Sequence, residues 1–288
     1  EIMSSDWSSD VCSSDLFILQ VCVSDDSNAL KKQEFFGGSL ACSQAIPASV
    51  FYYVVIRQLL RKLINVLSSI DFMNILVVVA HSDDQVLGPG GTIAKYAAEG
   101  HTVQTIIFSY GEGTHPHYKT EVIRNIRQEE SEKADKILGS TKTWFYGAGD
   151  GKIMQEKKEG TLQEKLRKDL LKFQPEKIFT HANDEAHPDH IAVHDILLEV
   201  YDDLHKKKKL TSAIYSFGIW RFFKFRRRSK PRLVVDITDT FTKKLKALKT
   251  FKSQKVAMLT LKWSVYVKAV LAGYKYGGTF VEVFYKLR

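Results

Sequence analysis

The sequence predicts an α/β fold: one domain built on a doubly wound, mostly parallel sheet with helices on both faces. Three observations carry this prediction. Asn74-Ile75-Leu76-Val77-Val78-Val79-Ala80 is an almost unbroken apolar and β-branched run, the pattern of a strand buried on both faces of a parallel sheet. Strand-like and helix-like segments then alternate as far as residue 217, at the spacing that successive β-α-β units require. The chemically unusual residues fall after strand-like runs, at the carboxyl ends where ligands collect in such sheets. Together these features describe a Rossmann-like architecture.

The elements follow in order. After the first strand comes a turn with Gly88, Pro89, Gly90 and Gly91, then a helix from about Thr92 to Glu99 that stops near Gly100. Val103 to Phe108 is the second strand. Val122 to Leu138 is the second helix, with Ile123, Ile126, Ala134, Ile137 and Leu138 on its inner side and Gly139 as its stop. Thr143 to Tyr146 forms a third strand, Leu162 to Phe173 a helix, and Lys177 to Thr180 a fourth strand. His190 to Leu204 is the next helix and Ala213 to Phe217 the fifth strand. Beyond it, Leu233 to Ile237 reads as a strand, Thr242 to Phe251 as a Lys-rich amphipathic helix, and Thr279 to Tyr285 as a terminal strand. The region around Trp263, Tyr266, Tyr274 and Tyr276 shows no clear period and is expected to be irregular, packed on the domain or used as a subunit contact in a homo-oligomer.

Composition bounds the rest. The 288 residues, 44% hydrophobic and 26% charged with 17 Gly and 6 Pro, exclude a disordered tail, a collagen-like fibre and a disulfide-dense scaffold. All three cysteines, Cys12, Cys22 and Cys42, precede Met73. Residues 73–288 therefore contain no thiolate nucleophile or thiolate metal site, and a cytoplasmic location is expected. The Ser-Ser-Asp triplets of residues 4–15 have neither helical nor strand period and resemble translated sequencing-adapter DNA. Residues 1–72 are accordingly expected to be a non-native or disordered leader, with residues 73–288 as the functional domain. The apolar run from Ala45 to Ile56 is too short to span a membrane.

Two clusters carry the chemistry. His81-Ser82-Asp83-Asp84-Gln85 begins where the first strand ends, and His187-Pro188-Asp189-His190 follows the fourth strand, with His194 one helical turn further on. A lone His beside an Asp is usually a surface or hydrogen-bonding feature. Two such clusters at successive strand ends can instead deliver His81, Asp84 and His190 to one Zn2+ and leave a position open for water. Gly88-Pro89-Gly90-Gly91 does not make the dinucleotide fingerprint.

The two motifs resemble those of the PIG-L/LmbE family of zinc-dependent N-acetylglucosaminyl deacetylases, His-Pro-Asp-Asp-Glu and His-Pro-Asp-His. Supporting similarity extends through Arg127, Glu130, Ala134, Leu138-Gly139, Asp236-Ile237-Thr238, Ser253-Gln254 and Glu282. The resemblance implies hydrolysis of the N-acetyl group of an N-acetylglucosamine-containing small molecule or glycoconjugate, with release of acetate and a free amine. It assigns His81, Asp84 and His190 to the metal, which is zinc, with Fe2+ the other candidate. It makes Asp83 the general base, His187 the second catalytic group and Asp189 the carboxylate that orients a histidine and favours its protonated form. An N-cap role is the alternative for Asp189. Two positions depart from the family pattern: Ser82 replaces Pro, removing a φ restraint, and Gln85 replaces Glu, removing a negative charge.

Arg127, His115 and His117 are candidate substrate contacts, with a solvated or salt-bridged face residue the other reading of Arg127. Charge is unevenly spread, since 37 Lys and Arg against 25 Asp and Glu lie in residues 73–288. The basic stretch Lys224, Arg226, Arg227, Arg228, Lys230 and Arg232 suits weak contact with an anionic surface or a phosphorylated substrate, or is a solubilising loop. No nucleic-acid partner is expected, because no alternation of Lys with aromatic residues is evident. The same zinc chemistry on another N-acyl substrate and a non-enzymatic binding module for an anionic surface or nucleic acid are the alternative functions.

Overall fold

The computed structural model describes residues 21–23, 29–36, 39–47, 52–53, 56–62, 72–114, 119–220 and 231–288. The chain divides into two units, Glu1–Asp71 and Phe72–Arg288. In the first, β1 (Val21–Val23), β2 (Ala29–Phe36) and β3 (Ser39–Pro47) pair antiparallel in that order, and residues 56–62 are helical.

The second unit begins with β4 (Asn74–Val79), the short helix α1 (Asp84–Leu87) and α2 (Gly90–Ala98). Next come β5 (Thr102–Ser109), α3 (Thr120–Leu138), β6 (Lys142–Ala148), α4 (Ile153–Glu156), α5 (Thr161–Phe173) and β7 (Lys177–His181). The remaining elements are α6 (Pro188–Lys206), β8 (Ala213–Phe217), β9 (Arg232–Asp236), α7 (Phe241–Leu248), α8 (Lys255–Tyr276) and β10 (Val281–Lys286). Seven strands form one sheet in the order β6-β5-β4-β7-β8-β10-β9. The first five of these are mutually parallel, and β10 runs antiparallel to both β8 and β9.

Strand periodicity divides the core. Ile75, Val77 and Val79 point to the face covered by α2, α3, α7 and α8, while Leu76, Val78 and Ala80 point to the face covered by α4, α5 and α6. Both faces of β4 are thus dry, which is why its sequence is continuous rather than alternating. Each large aliphatic side chain buried this way contributes about 1.5–3 kcal/mol. Because these strands are parallel, the carboxyl ends of β4, β5, β6 and β7 share one rim, and the order of strand addition reverses at β4, which opens a crevice there.

Two expectations are corrected. The region around Trp263 and Tyr274 is not irregular but a helix of 22 residues, α8. Its inner stripe, Met258, Leu261, Val265 and Ala269, is buried, yet Leu259, Trp263, Val267 and Leu271 on the other side are exposed and equally apolar. A helix apolar on both sides has no single-face period to detect. Gly90 and Gly91, expected in a turn, form the start of α2, where a Cβ on Gly91 would lie 2.5 Å from Ile237 Cδ1. His115, His117 and the basic stretch from Lys224 to Lys230 lie outside the described residues. No described helix is long and apolar enough to cross a membrane.

Candidate active site

The loop after β4 is built by its own side chains. The Asp84 carboxylate accepts the His81 backbone N–H at 2.8 Å and so folds the loop back on itself. Asp83 occupies the cap position of α1, but its side chain does not cap the helix. Instead, Asp83 Oδ2 stands 3.5 Å from Nη1 of Arg127, a fully buried residue of α3 whose Nε donates to the Tyr110 carbonyl at 2.9 Å. Ser82 Oγ donates to that same carbonyl at 3.0 Å. The tether compensates for the φ restraint that a proline would have given the loop. Gln85 Nε2 donates to Ser131 Oγ at 2.7 Å and to Asp135 Oδ1 at 3.3 Å, so the second departure from the family motif is also tied into α3.

The second cluster arrives on α6. His187 is its N-cap, with Nδ1 accepting the Asp189 backbone N–H at 3.2 Å, and Pro188 follows at the first helical position. The helix carries His190 inward, with Nε2 3.4 Å from Asp84 Oδ2 and Nδ1 3.8 Å from Glu185. His81 Nδ1 lies 3.4 Å from the same Asp84 oxygen. Its other nitrogen, Nε2, faces Asp150 Oδ1 and Asp189 Oδ2, each at 3.4 Å. Donor atoms of three groups, His81/His187/His190, Asp84/His181/His190 and His81/Asp150/Asp189, draw to within 4.8 Å of one another.

Sequence reasoning missed three of these neighbours. His181 is the last residue of β7, fully buried, and stacks on His190 with ring centroids 3.9 Å apart. Its Nε2 accepts the Ala80 N–H at 3.0 Å and lies 3.4 Å from Asp84 Oδ2. Its carbonyl in turn holds Nδ1 of His194 at 2.7 Å. Asp150 follows β6 and is anchored by the Gly113 N–H at 2.8 Å. Glu185 accepts the Ile219 N–H at 2.6 Å and the Trp220 N–H at 3.1 Å. Position after a strand end was the available signal for Asp150 and Glu185, but neither stands in a motif.

The electrostatics follow from burial and these pairings. Burial alone would discharge His81, but Asp150, Asp189 and Asp84 around it push its pKa well above the usual histidine value. Burial opposes the charge on His190 as well, and Asp84 and Glu185 overcome it, raising the pKa to about 9. Against its own burial, Asp84 is held well below the carboxylate range by His190 and His181. Burial lowers His181 to about 4. Asp83 is raised by burial, a shift that Arg127 partly offsets and Asp84 adds to. His187 is lowered by burial and by His81 and His190, so its protonated form is disfavoured, contrary to the sequence expectation. The Asp189 carboxylate explains the difference: it accepts the Gly151 N–H at 2.7 Å and faces His81, and only its backbone amide meets the His187 ring.

Comparison with known proteins fits this geometry. Residues 76–201 match the family described as PIG-L, GlcNAc-PI de-N-acetylase. The similarity to PIG-L lies in those residues. It is similar to mycothiol S-conjugate amidase of Streptomyces coelicolor, 27% identical over 168 residues, which covers 50% of this chain and 57% of that one. This chain thus spans less than two thirds of that relative's length. It is also similar to a probable N-acetyl-alpha-D-glucosaminyl L-malate deacetylase of Bacillus cereus, 26% identical over 195 residues, covering 65% of this chain and 86% of the other. Among solved structures, N,N'-diacetylchitobiose deacetylase from Pyrococcus horikoshii, complexed with an inhibitor, superposes with a TM-score of 0.61 at 25% identity, over 75% of this chain and 84% of that one. The PIG-L match contains both motifs and every residue of the cluster just described.

Proposed function

We propose that the protein is a metal-dependent deacetylase that hydrolyses the N-acetyl group of an N-acetylglucosamine-containing small molecule or glycoconjugate. The observation that carries this reading is the meeting of the two motif loops at one carboxylate oxygen, Asp84 Oδ2, 3.4 Å from both His81 Nδ1 and His190 Nε2. Ligand atoms around a tetrahedral zinc with bonds of about 2.0–2.1 Å lie about 3.3–3.4 Å apart, the same separation. The residues fit the ion in a second way: both ring nitrogens of buried His190 lack a hydrogen-bond partner among the described residues. His81, Asp84 and His190 would hold the metal, with zinc favoured by the nitrogen and carboxylate donors and Fe2+ the other candidate. When bound, the ion supplies Lewis acidity, polarising an amide carbonyl and lowering the pKa of water at the site from 15.7 toward about 7.

The protein groups supply the rest. Asp83 is the base that removes the proton of the attacking water; Arg127 keeps it anionic, while burial makes it a stronger base than an exposed aspartate. With Nδ1 accepting from the Asp189 amide, the neutral His187 ring carries its proton on Nε2 and offers it to the oxyanion as the amide carbonyl becomes tetrahedral. Asp83, protonated by the water, returns that proton to the departing amine, which leaves with acetate as the co-product. Asp189 and Asp150 orient His81 through its second nitrogen, as carboxylates behind metal-binding histidines do. Arg127 serves Asp83 in this scheme rather than the substrate.

Acetate release from a panel of N-acetylglucosamine conjugates by the zinc-loaded full chain tests the reading. Release is expected to require metal and to fall about 10²–10⁴-fold in Asp83→Ala while zinc content is retained. Metal-independent release, or full activity in the variant, would overturn the assignment.

A further inference from the structure

The side of α8 opposite its buried stripe is exposed among the described residues. Leu259, Trp263, Val267, Leu271 and Tyr274 follow one another at intervals of three or four residues and are all exposed, Leu259 by 71%, Trp263 by 69% and Tyr274 by 92%. Exposed apolar patches of this extent mark interaction surfaces. Beside it runs a cavity of about 660 Å3 between α7 and α8, floored by Phe251, Met258, Leu259, Trp263 and Tyr266. Its rim is formed by Lys249, Lys252, Lys255 and Lys262. No Asp or Glu occurs from residue 240 to residue 281, a stretch that contains nine lysines. Two of the nine are engaged inward, Lys244 with Glu282 and Lys268 with the carbonyls of Gly218 and Ile219.

We infer that this face of α8, with the lysine-rimmed groove beside it, is a docking surface for an anionic lipid membrane, on which the helix lies flat. The charge selects the occupant. A second copy of the chain would set lysines against lysines, whereas anionic headgroups complement them. The aromatic content points the same way, because Trp and Tyr side chains collect at the boundary between headgroups and hydrocarbon. A helix with lysines along one border, an apolar outer stripe and too little apolar length to span lies in that plane. The surface is separate from the candidate active site, and the inference does not depend on the deacetylase reading.

Sedimentation of the full chain with vesicles of phosphatidylcholine alone, or with about 30% phosphatidylserine, tests it at low and high salt. Binding is expected only to the phosphatidylserine vesicles and to weaken as salt rises. Trp263→Ser with Leu271→Ser should weaken it at least about tenfold. Lys252→Gln, Lys255→Gln and Lys262→Gln should each weaken it about fivefold. Because these side chains are largely outside the core, the melting temperatures should match that of the parent, which separates loss of docking from loss of folding. Absence of binding at low salt would overturn the inference. So would unchanged binding in the variants, self-association that Trp263→Ser abolishes, or preference for an acidic polypeptide such as polyglutamate over the vesicles.

Discussion

Replacing Asp135 with Asn is expected to flatten the pH dependence of stability between pH 5 and pH 8 and to leave the variant more stable than the parent at the upper end. Asp135 is buried on α3, where it accepts hydrogen bonds from Thr143 Oγ1 and from Gln85 Nε2. Burial pushes its pKa from 3.8 to about 7, against the opposing effect of those two donors. A carboxyl raised in the folded state binds its proton more tightly there than in the unfolded chain. Its contribution is therefore fully present below the unfolded value and is lost as pH rises through the folded one. Three pKa units correspond to about 4 kcal/mol, of which about 2–3 kcal/mol falls between pH 5 and pH 8. Asn cannot ionise, still accepts from Thr143, and can donate to Gln85 Oε1, which lacks a hydrogen-bond partner among the described residues. Urea denaturation at pH 5, 6.5 and 8 measures the difference. The parent should lose about 2–3 kcal/mol more than the variant over the interval. Losses that agree to within about 0.5 kcal/mol would refute the argument, because the titrating group would then lie elsewhere.

Three further outcomes are expected. Glu282→Gln should destabilise the protein by about 3–5 kcal/mol in thermal or urea denaturation, because Lys244 Nζ, now 2.6 Å from that carboxylate, would remain charged in the core. Gly111 has φ +73°, and a Cβ there would lie 2.7 Å from Arg127 Nη2. Gly111→Ala should thus displace the guanidinium from Asp83 and reduce kcat about ten- to hundredfold with zinc content unchanged, as metal analysis beside steady-state kinetics would show. Zinc at about 100 times its Kd should stabilise the parent by about 2.7 kcal/mol, a rise of roughly 5–10 °C in Tm, and Asp84→Asn should abolish the rise in calorimetry.

The parallel half of the sheet was legible because strands buried on both faces must be continuously apolar, as Ile75 to Ala80 are. The motif residues were legible because His81, Asp83, Asp84, His187 and His190 crowd polar chemistry into two short segments that follow strands. His181 was not, since a single histidine ending an apolar strand looks like any other strand residue until the pairing of β4 with β7 brings Ala80 against it and α6 brings His190. Asp150 was hidden in a glycine-rich loop whose path only the fold determines. The antiparallel insertion of β10 between β8 and β9 is likewise a tertiary outcome, because its alternation suits either direction of pairing. Helix α8 escaped detection for the reason that makes it interesting: its outer side is as apolar as its inner one.

Glu282 sits in the final strand, yet its carboxylate receives the N–H groups of Gly91 and Thr92 at 3.0 and 2.8 Å and the Thr92 hydroxyl at 2.6 Å. These bonds fasten the start of α2, a few residues beyond the motif loop, across a sequence separation of 191. On a ribosome adding about 5–20 residues per second, the start of α2 must wait roughly 10–40 s for that acceptor to emerge. A nascent or prematurely terminated chain lacking β10 would carry every motif residue and still leave that helix start without its acceptor. Synthesis through β10 is thereby a condition for fixing the start of α2, a checkpoint written into strand order.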